Sequence, residues 1–166
     1  MYDIKGIVGC RDHLDTIAAL DDRFGVAALA LEPYALLPLD DLAMKAVRHL
    51  WDLPAPDARP VDTVGLGFFK ALAGPVALAA GPKAALAFVE AEFFGGEGQG
   101  EALAIRDGEI AVFDEPDDPW PDTNISRALK WIGVPEHLDR HQDAFDRLGL
   151  GRFRRVGDWR TSFTLS

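Results

Sequence analysis

Six carboxylates, Glu90, Glu92, Glu97, Glu101, Asp107 and Glu109, fall within one stretch of twenty residues. Two carboxyl groups on one face can share general acid and base work when their surroundings separate their pKa values. Glu90 and Glu92 are therefore one candidate catalytic pair. The same crowding could instead meet a hard divalent cation, a substrate amine or a basic partner. Like charges opposite one another in a sheet cost stability unless compensated, and solvent or local arginines are the ordinary compensation. The acidic band extends to Asp122, with eleven acids from Glu90 onward against a single base, Arg106. Trp120 stands inside it between Pro119 and Pro121. A rigid aromatic on a charged rim makes a protein-binding anchor, and its bland alternative is a lid folded over the core.

Cys10 and His13, three residues apart, form the other candidate catalytic pair, a thiol with a base in reach. Arg11 beside Cys10 could lower the thiol pKa, although a strand-end cysteine is the simpler reading. His137 and His141 share a helix face, but Leu138 stands where a hydrolase zinc helix carries its glutamate. No metal site is assigned. Ser126, Ser162 and Ser166 lie in no Gly-x-Ser-x-Gly elbow.

Gly95, Gly96, Gly98 and Gly100 read as a flexible turn between the acidic strands. A dinucleotide fingerprint needs strand, glycines and then a helix, whereas here a strand follows. Glu97 and Glu101 would also repel phosphate. Gly95, Gly96 and Gly98, with Glu97, Glu101 and Trp120, are assigned to binding a cation or a basic protein surface, and no cofactor is expected. Arg147, Arg152, Arg154, Arg155 and Arg160 crowd the C-terminal segment. Internal salt links and a surface patch account for them better than nucleic acid does.

These residues need elements to hold them. Residues 2 to 8 read as a strand, Asp12 as the cap of a helix closed by Gly25, and Val26 to Leu31 as an apolar strand fit for a central position. Ala35 to Leu39 returns as a strand, with Pro38 at a strand end or a sheet edge. Asp40 caps a helix buried through Leu42, Ala43, Ala46, Val47, Leu50 and Trp51. Residues 53 to 62, with three prolines, read as a connection. A short helix holds Leu66, Phe68, Phe69 and Leu72, stopped at Gly74-Pro75.

After Pro82 the apolar pattern changes to alternation, so 86 to 94 reads as a strand. Glu101 to Arg106 and Glu109 to Phe113 then pair through Asp107-Gly108, a strong hairpin turn. Residues 114 to 122 read as a loop, and Thr123 or Asn124 as the cap of a helix ending at Gly133. A last helix spans Glu136 to Leu148. Leu150, Phe153, Trp159 and Phe163 form an apolar strand or strap across the sheet. The expected fold is a single α+β domain over 1 to 166, a mixed, mainly antiparallel sheet of five or six strands packed with helices.

Composition bounds the rest. A chain of 166 residues with 48% hydrophobic content can bury a core. One cysteine excludes an intrachain disulfide. A formal charge of -10, from 17 Lys plus Arg against 27 Asp plus Glu, opposes nucleic-acid backbones and anionic membranes. The N-terminal residues lack a signal-peptide pattern and the apolar stretches are broken by proline and glycine, so a cytoplasmic location is the expectation.

The segment Val89-Glu90-Ala91-Glu92-Phe93-Phe94-Gly95-Gly96-Glu97-Gly98 resembles a group of small bacterial proteins. Ile125-Ser126-Arg127-Ala128-Leu129, Gly133-Val134 and Phe145-Asp146-Arg147-Leu148-Gly149-Leu150-Gly151-Arg152 continue the resemblance across residues 88 to 155. It brings no activity and no catalytic residue with it. The expected function is protein binding or an immunity-like role through the acidic surface, rather than catalysis. A small hydrolase-type enzyme and a self-associating structural protein are the alternatives.

Overall fold

The computed structural model describes residues 2–53, 65–94, 97–115, 123–135 and 143–163, with backbone alone at 2, 92–94 and 97–99. Its frame is one six-stranded sheet, ordered β2-β3-β1-β4-β5-β6. The strands are β1 (Tyr2–Cys10), β2 (Ala27–Ala28), β3 (Tyr34–Pro38), β4 (Leu86–Phe94), β5 (Glu97–Arg106) and β6 (Glu109–Phe113). Every pairing is antiparallel. The helices are α1 (Arg11–Ala18), α2 (Asp41–Leu50), α3 (Gly65–Ala80), α4 (Asn124–Trp131) and α5 (Ala144–Leu148). The α+β reading holds, and the described sheet is antiparallel throughout rather than mixed.

Strand alternation gives this sheet two apolar faces. Ile7, Leu37, Leu86, Phe88, Leu103 and Ile105 pack with Leu14 and Ile17 of α1, Val47 of α2 and Phe68, Phe69 and Leu72 of α3. Ile4, Val8, Ala87, Val89, Ala91, Ala102 and Ala104 face the other way, toward Ile125 and Leu129 of α4, Leu148 of α5 and Trp159. The second face is rich in alanine, which lets α4 come close. At Gly100 a Cβ would lie 3.0 Å from Ile125 Cδ1, so this glycine makes room for a helix. It belongs to β5, as does Gly98. Phe94 pairs with Glu97, leaving only positions 95 and 96 between the strands. The expected four-glycine turn is thus a two-residue connection followed by two strand glycines.

Other boundaries moved for physical reasons. The apolar run Val26 to Leu31 forms only the two-residue β2, at the sheet edge rather than its centre. Its hydrophobicity serves burial under the C-terminal segment, where Ala27 bridges Phe163. α1 starts at Arg11 without a side-chain cap and stops at Ala18, well short of Gly25. α3 runs through Pro75 instead of stopping there. Burial of Phe68, Phe69, Leu72, Ala73 and Val76 offsets the hydrogen bond that proline cannot make. On α2, Leu42 is exposed and Met44 is buried in its place.

Local chemistry fixes several ends. Asp40 Oδ1 accepts from Ala43 N at 2.9 Å at the start of α2, and Thr123 Oγ1 accepts from Ser126 N at the start of α4. Of the last helix expected from Glu136, residues 136–142 lie outside the described structure; α5 starts at Ala144, capped by Asp143 accepting from Asp146 N. The C-terminal strap consists of 3-10 turns at Leu150–Arg152 and Val156–Ser162 rather than a strand. Trp159 is its buried anchor, edge-on to Phe153 at 4.9 Å. Among the described residues no helix is long and apolar enough to cross a membrane.

Candidate protein-binding edge

The carboxylates singled out from the sequence part company in the structure. Glu90 is buried on the α3 face of the sheet, where its Oε1 accepts from Gly65 N at 3.2 Å at the start of α3. In register it lies between Lys5 of β1 and Glu101 of β5. Lys5 is also buried, so Glu90 has a cation on one flank and a second carboxylate on the other. Glu101 is half-buried, and its Oε2 is shielded from solvent with no hydrogen-bond partner among the described residues. Glu90 therefore contributes nothing to an outer surface. Lys5 escaped the sequence reading, although its spacing from Ile7 by two residues puts it on that same face.

Cys10 ends β1 and His13 follows it in the first turn of α1. Cys10 occupies the N-cap position of α1 and is partly exposed. His13 Nδ1 is buried without a hydrogen-bond partner among the described residues, so no thiol-imidazole hydrogen bond runs through that nitrogen. Lys5, the register partner of Glu90, is five residues back along the strand, which is about 16 Å at about 3.3 Å per residue. The two candidate catalytic pairs are thus well separated along the sheet. Tyr34 pairs with Cys10 across β3 and β1. Burial pushes its phenol pKa up, and the nearby Cys10 adds to the rise.

Several residues named above lie beyond the described structure. Trp120, Gly95 and Gly96 are among these, as are His137 and His141. Glu92, Glu97 and Gly98 are placed by backbone only, Glu92 opposite Gln99 and Gly98 opposite Phe93. Among the described residues no group of three or more His, Cys, Asp or Glu is arranged to hold a metal ion.

Four exposed carboxylates of the acidic band lie in or beside β6. Asp107, Glu109, Asp114 and Glu115 are all exposed, with Ile110 at 56% and Val112 at 37% exposure among them. Arg106, the base of this band, donates to Trp131 O at 3.1 Å and lies 3.8 Å from Asp107. Asp107 and Gly108 have φ of 51° and 77° between the paired Arg106 and Glu109, the two-residue turn of type I′. Such a turn makes Arg106 and Glu109 a hydrogen-bonded pair, and antiparallel alternation follows from it. The backbone N–H and C=O of Ile110 and Val112 then point away from β5, toward the open side.

The end of β6 is anchored to α4. Asn124 Nδ2, at the first turn of α4, donates to Glu115 O at 2.8 Å and to Gly100 O at 3.0 Å. The Arg127 guanidinium lies 5.9 Å above the Phe113 ring. β6 is thereby fastened to α4 at its exit. No described strand covers its outer edge, since β6 ends the strand order. The opposite edge is closed by the Ala27–Phe163 bridge.

The arginines divide between the two expected roles. Arg160 is an internal link, paired with the buried Asp40 and donating to Arg23 O at 2.6 Å. Arg152, Arg154 and Arg155 are exposed, with Arg152 stacked 5.1 Å from the Phe153 ring. Ser126, which lies in no nucleophile elbow, donates its buried hydroxyl to Asp143 at 2.6 Å. Asp143 also caps α5, so this contact joins α4 to α5. Comparisons of the chain with protein-family models, curated proteins and solved structures gave no match.

Proposed function

We propose that this chain is a protein-binding domain, immunity-like in mode, that meets its partner through the acidic surface around β6. The observation that carries this reading is an exposed apolar pair, Ile110 and Val112, on a sheet edge that no described strand covers, ringed by Asp107, Glu109, Asp114 and Glu115. Edge strands with exposed apolar residues invite another chain. Carboxylates around such an edge select a basic surface and speed its approach. The hydrolase-type alternative draws less support, because Glu90 is buried with its carboxylate on Gly65 N and His13 Nδ1 makes no hydrogen bond to Cys10.

Replacing Glu109, Asp114 and Glu115 together by lysine tests the reading. The expected result is loss of a discrete protein recovered from cell extract by the wild-type chain, with the unfolding midpoint unchanged. Undiminished recovery by the folded variant contradicts it.

A further inference from the structure

We infer that the partner is an extended segment with basic flanks, which adds to β6 as a seventh strand of the sheet. This rests on the reading of β6 as the binding surface and goes on to name the mode of recognition. Strand addition needs a free row of main-chain donors and acceptors at the right spacing. The type I′ turn supplies that row by aiming the peptide groups of Ile110 and Val112 outward. It also needs a rigid template, and Asn124 and Arg127 of α4 hold the end of β6 in place.

Charge selects the occupant. The strand and its immediate flanks expose Asp107, Glu109, Asp114 and Glu115, and the single Arg106 is already engaged. A second copy would bring the same four carboxylates, and each chain carries a formal charge of -10. If Ile110 met Val112 of the copy, Asp107 would fall opposite Glu115. A segment with lysine or arginine on both sides of a β-branched core matches the strand without such conflicts. Its apolar side chains would cover Ile110 and Val112 on the α3 face of the sheet, where these two continue the rows of Ile105 and Leu103.

The probe is a fluorescein-labelled peptide, Lys-Lys-Val-Thr-Val-Thr-Val-Lys-Lys, titrated by anisotropy at low salt. A second peptide carries N-methyl groups on its five central residues, which keeps the charge and removes the main-chain donors. Expected are saturable binding, slowed amide exchange at Ile110 and Val112, and at least about tenfold weakening on N-methylation. Val112→Pro should weaken it as much, since proline there removes an outward N–H and no bond to β5. N-methylation acts on the peptide alone, so it decides the matter even if Val112→Pro unfolds.

Loss of binding in the lysine triple variant, with none on N-methylation, leaves the acidic surface standing and overturns strand addition. Failure of the unmodified peptide to bind overturns strand addition too, while capture from extract decides the broader reading separately. A solution mass that doubles with concentration, with Ile110 and Val112 protected in the dimer, overturns the basic segment in favour of a second copy.

Discussion

The ion pair between Arg160 and Asp40 ties the C-terminal strap to the start of α2, and breaking it should be costly in a way that can be apportioned. Their side chains are 27% and 7% exposed. The guanidinium meets both carboxylate oxygens, with Nη2 at 2.7 Å from Oδ1. Arg160→Ala leaves Asp40 nearly buried beside a single remaining N–H, that of Ala43. Removing one partner of a buried pair costs about 3–5 kcal/mol. The surviving cap contact places this case near 3 kcal/mol. Asp40→Asn keeps the side-chain oxygen for the cap and leaves a guanidinium that water can reach, so about 2 kcal/mol is expected. The double variant should then cost less than the sum, with a coupling of about 1–2 kcal/mol. Urea unfolding followed by tryptophan fluorescence reads this directly, because Trp159 is adjacent and 1% exposed. Additivity of the two single changes within about 0.5 kcal/mol would refute the pair as a clamp.

Three further outcomes follow from particular contacts. At Gly6 a Cβ would stand 2.6 Å from Leu36 Cδ1 and 2.8 Å from the Leu37 carbonyl oxygen; Gly6→Ala should lose about 1–3 kcal/mol in urea unfolding, and a neutral result would contradict the packing. Tyr34, with its pKa raised above 10.0 in the fold, stays protonated where the unfolded chain has released its proton, so stability should fall as pH rises above 10.0. Tyr34→Phe should flatten that alkaline decline, and an unchanged slope would assign it elsewhere. Glu101→Gln removes a carboxylate opposite Glu90 and should raise stability by about 0.5 kcal/mol; a loss of stability would mean that the Glu101 charge is needed in that row.

What could be read from the sequence depended on how local its cause was. The Asp107-Gly108 hairpin was legible because two adjacent residue types determine the turn, and both take positive φ. Alternation after Pro82 likewise gave β4 its two faces. Asp40 as a cap followed from one side chain and its neighbours. The errors arose where tertiary burial overrode a local signal. Pro75 marks a helix end until Phe69 and Val76 are seen buried on either side of it. Val26 to Leu31 looks central until the Phe163 bridge covers it at an edge. The candidate surface was legible as charge but not as position. Nothing local says that Glu90 turns inward to Gly65 while Glu109 remains outside. Those fates follow from α3 covering the Glu90 face of the central β4, while Glu109 stands on the opposite face, beside the turn of the outermost strand.

A photo-reactive residue at position 110 tests the central claim most directly, with position 78 as its control, because Ile110 and Leu78 are both exposed apolar sites at 56% and 87%. Irradiation in living cells should give one discrete protein adduct from position 110. That adduct should be absent from position 78, and it should disappear when Glu109, Asp114 and Glu115 are lysine. No adduct at 110, or the same adduct from 78, would contradict a binding surface at β6.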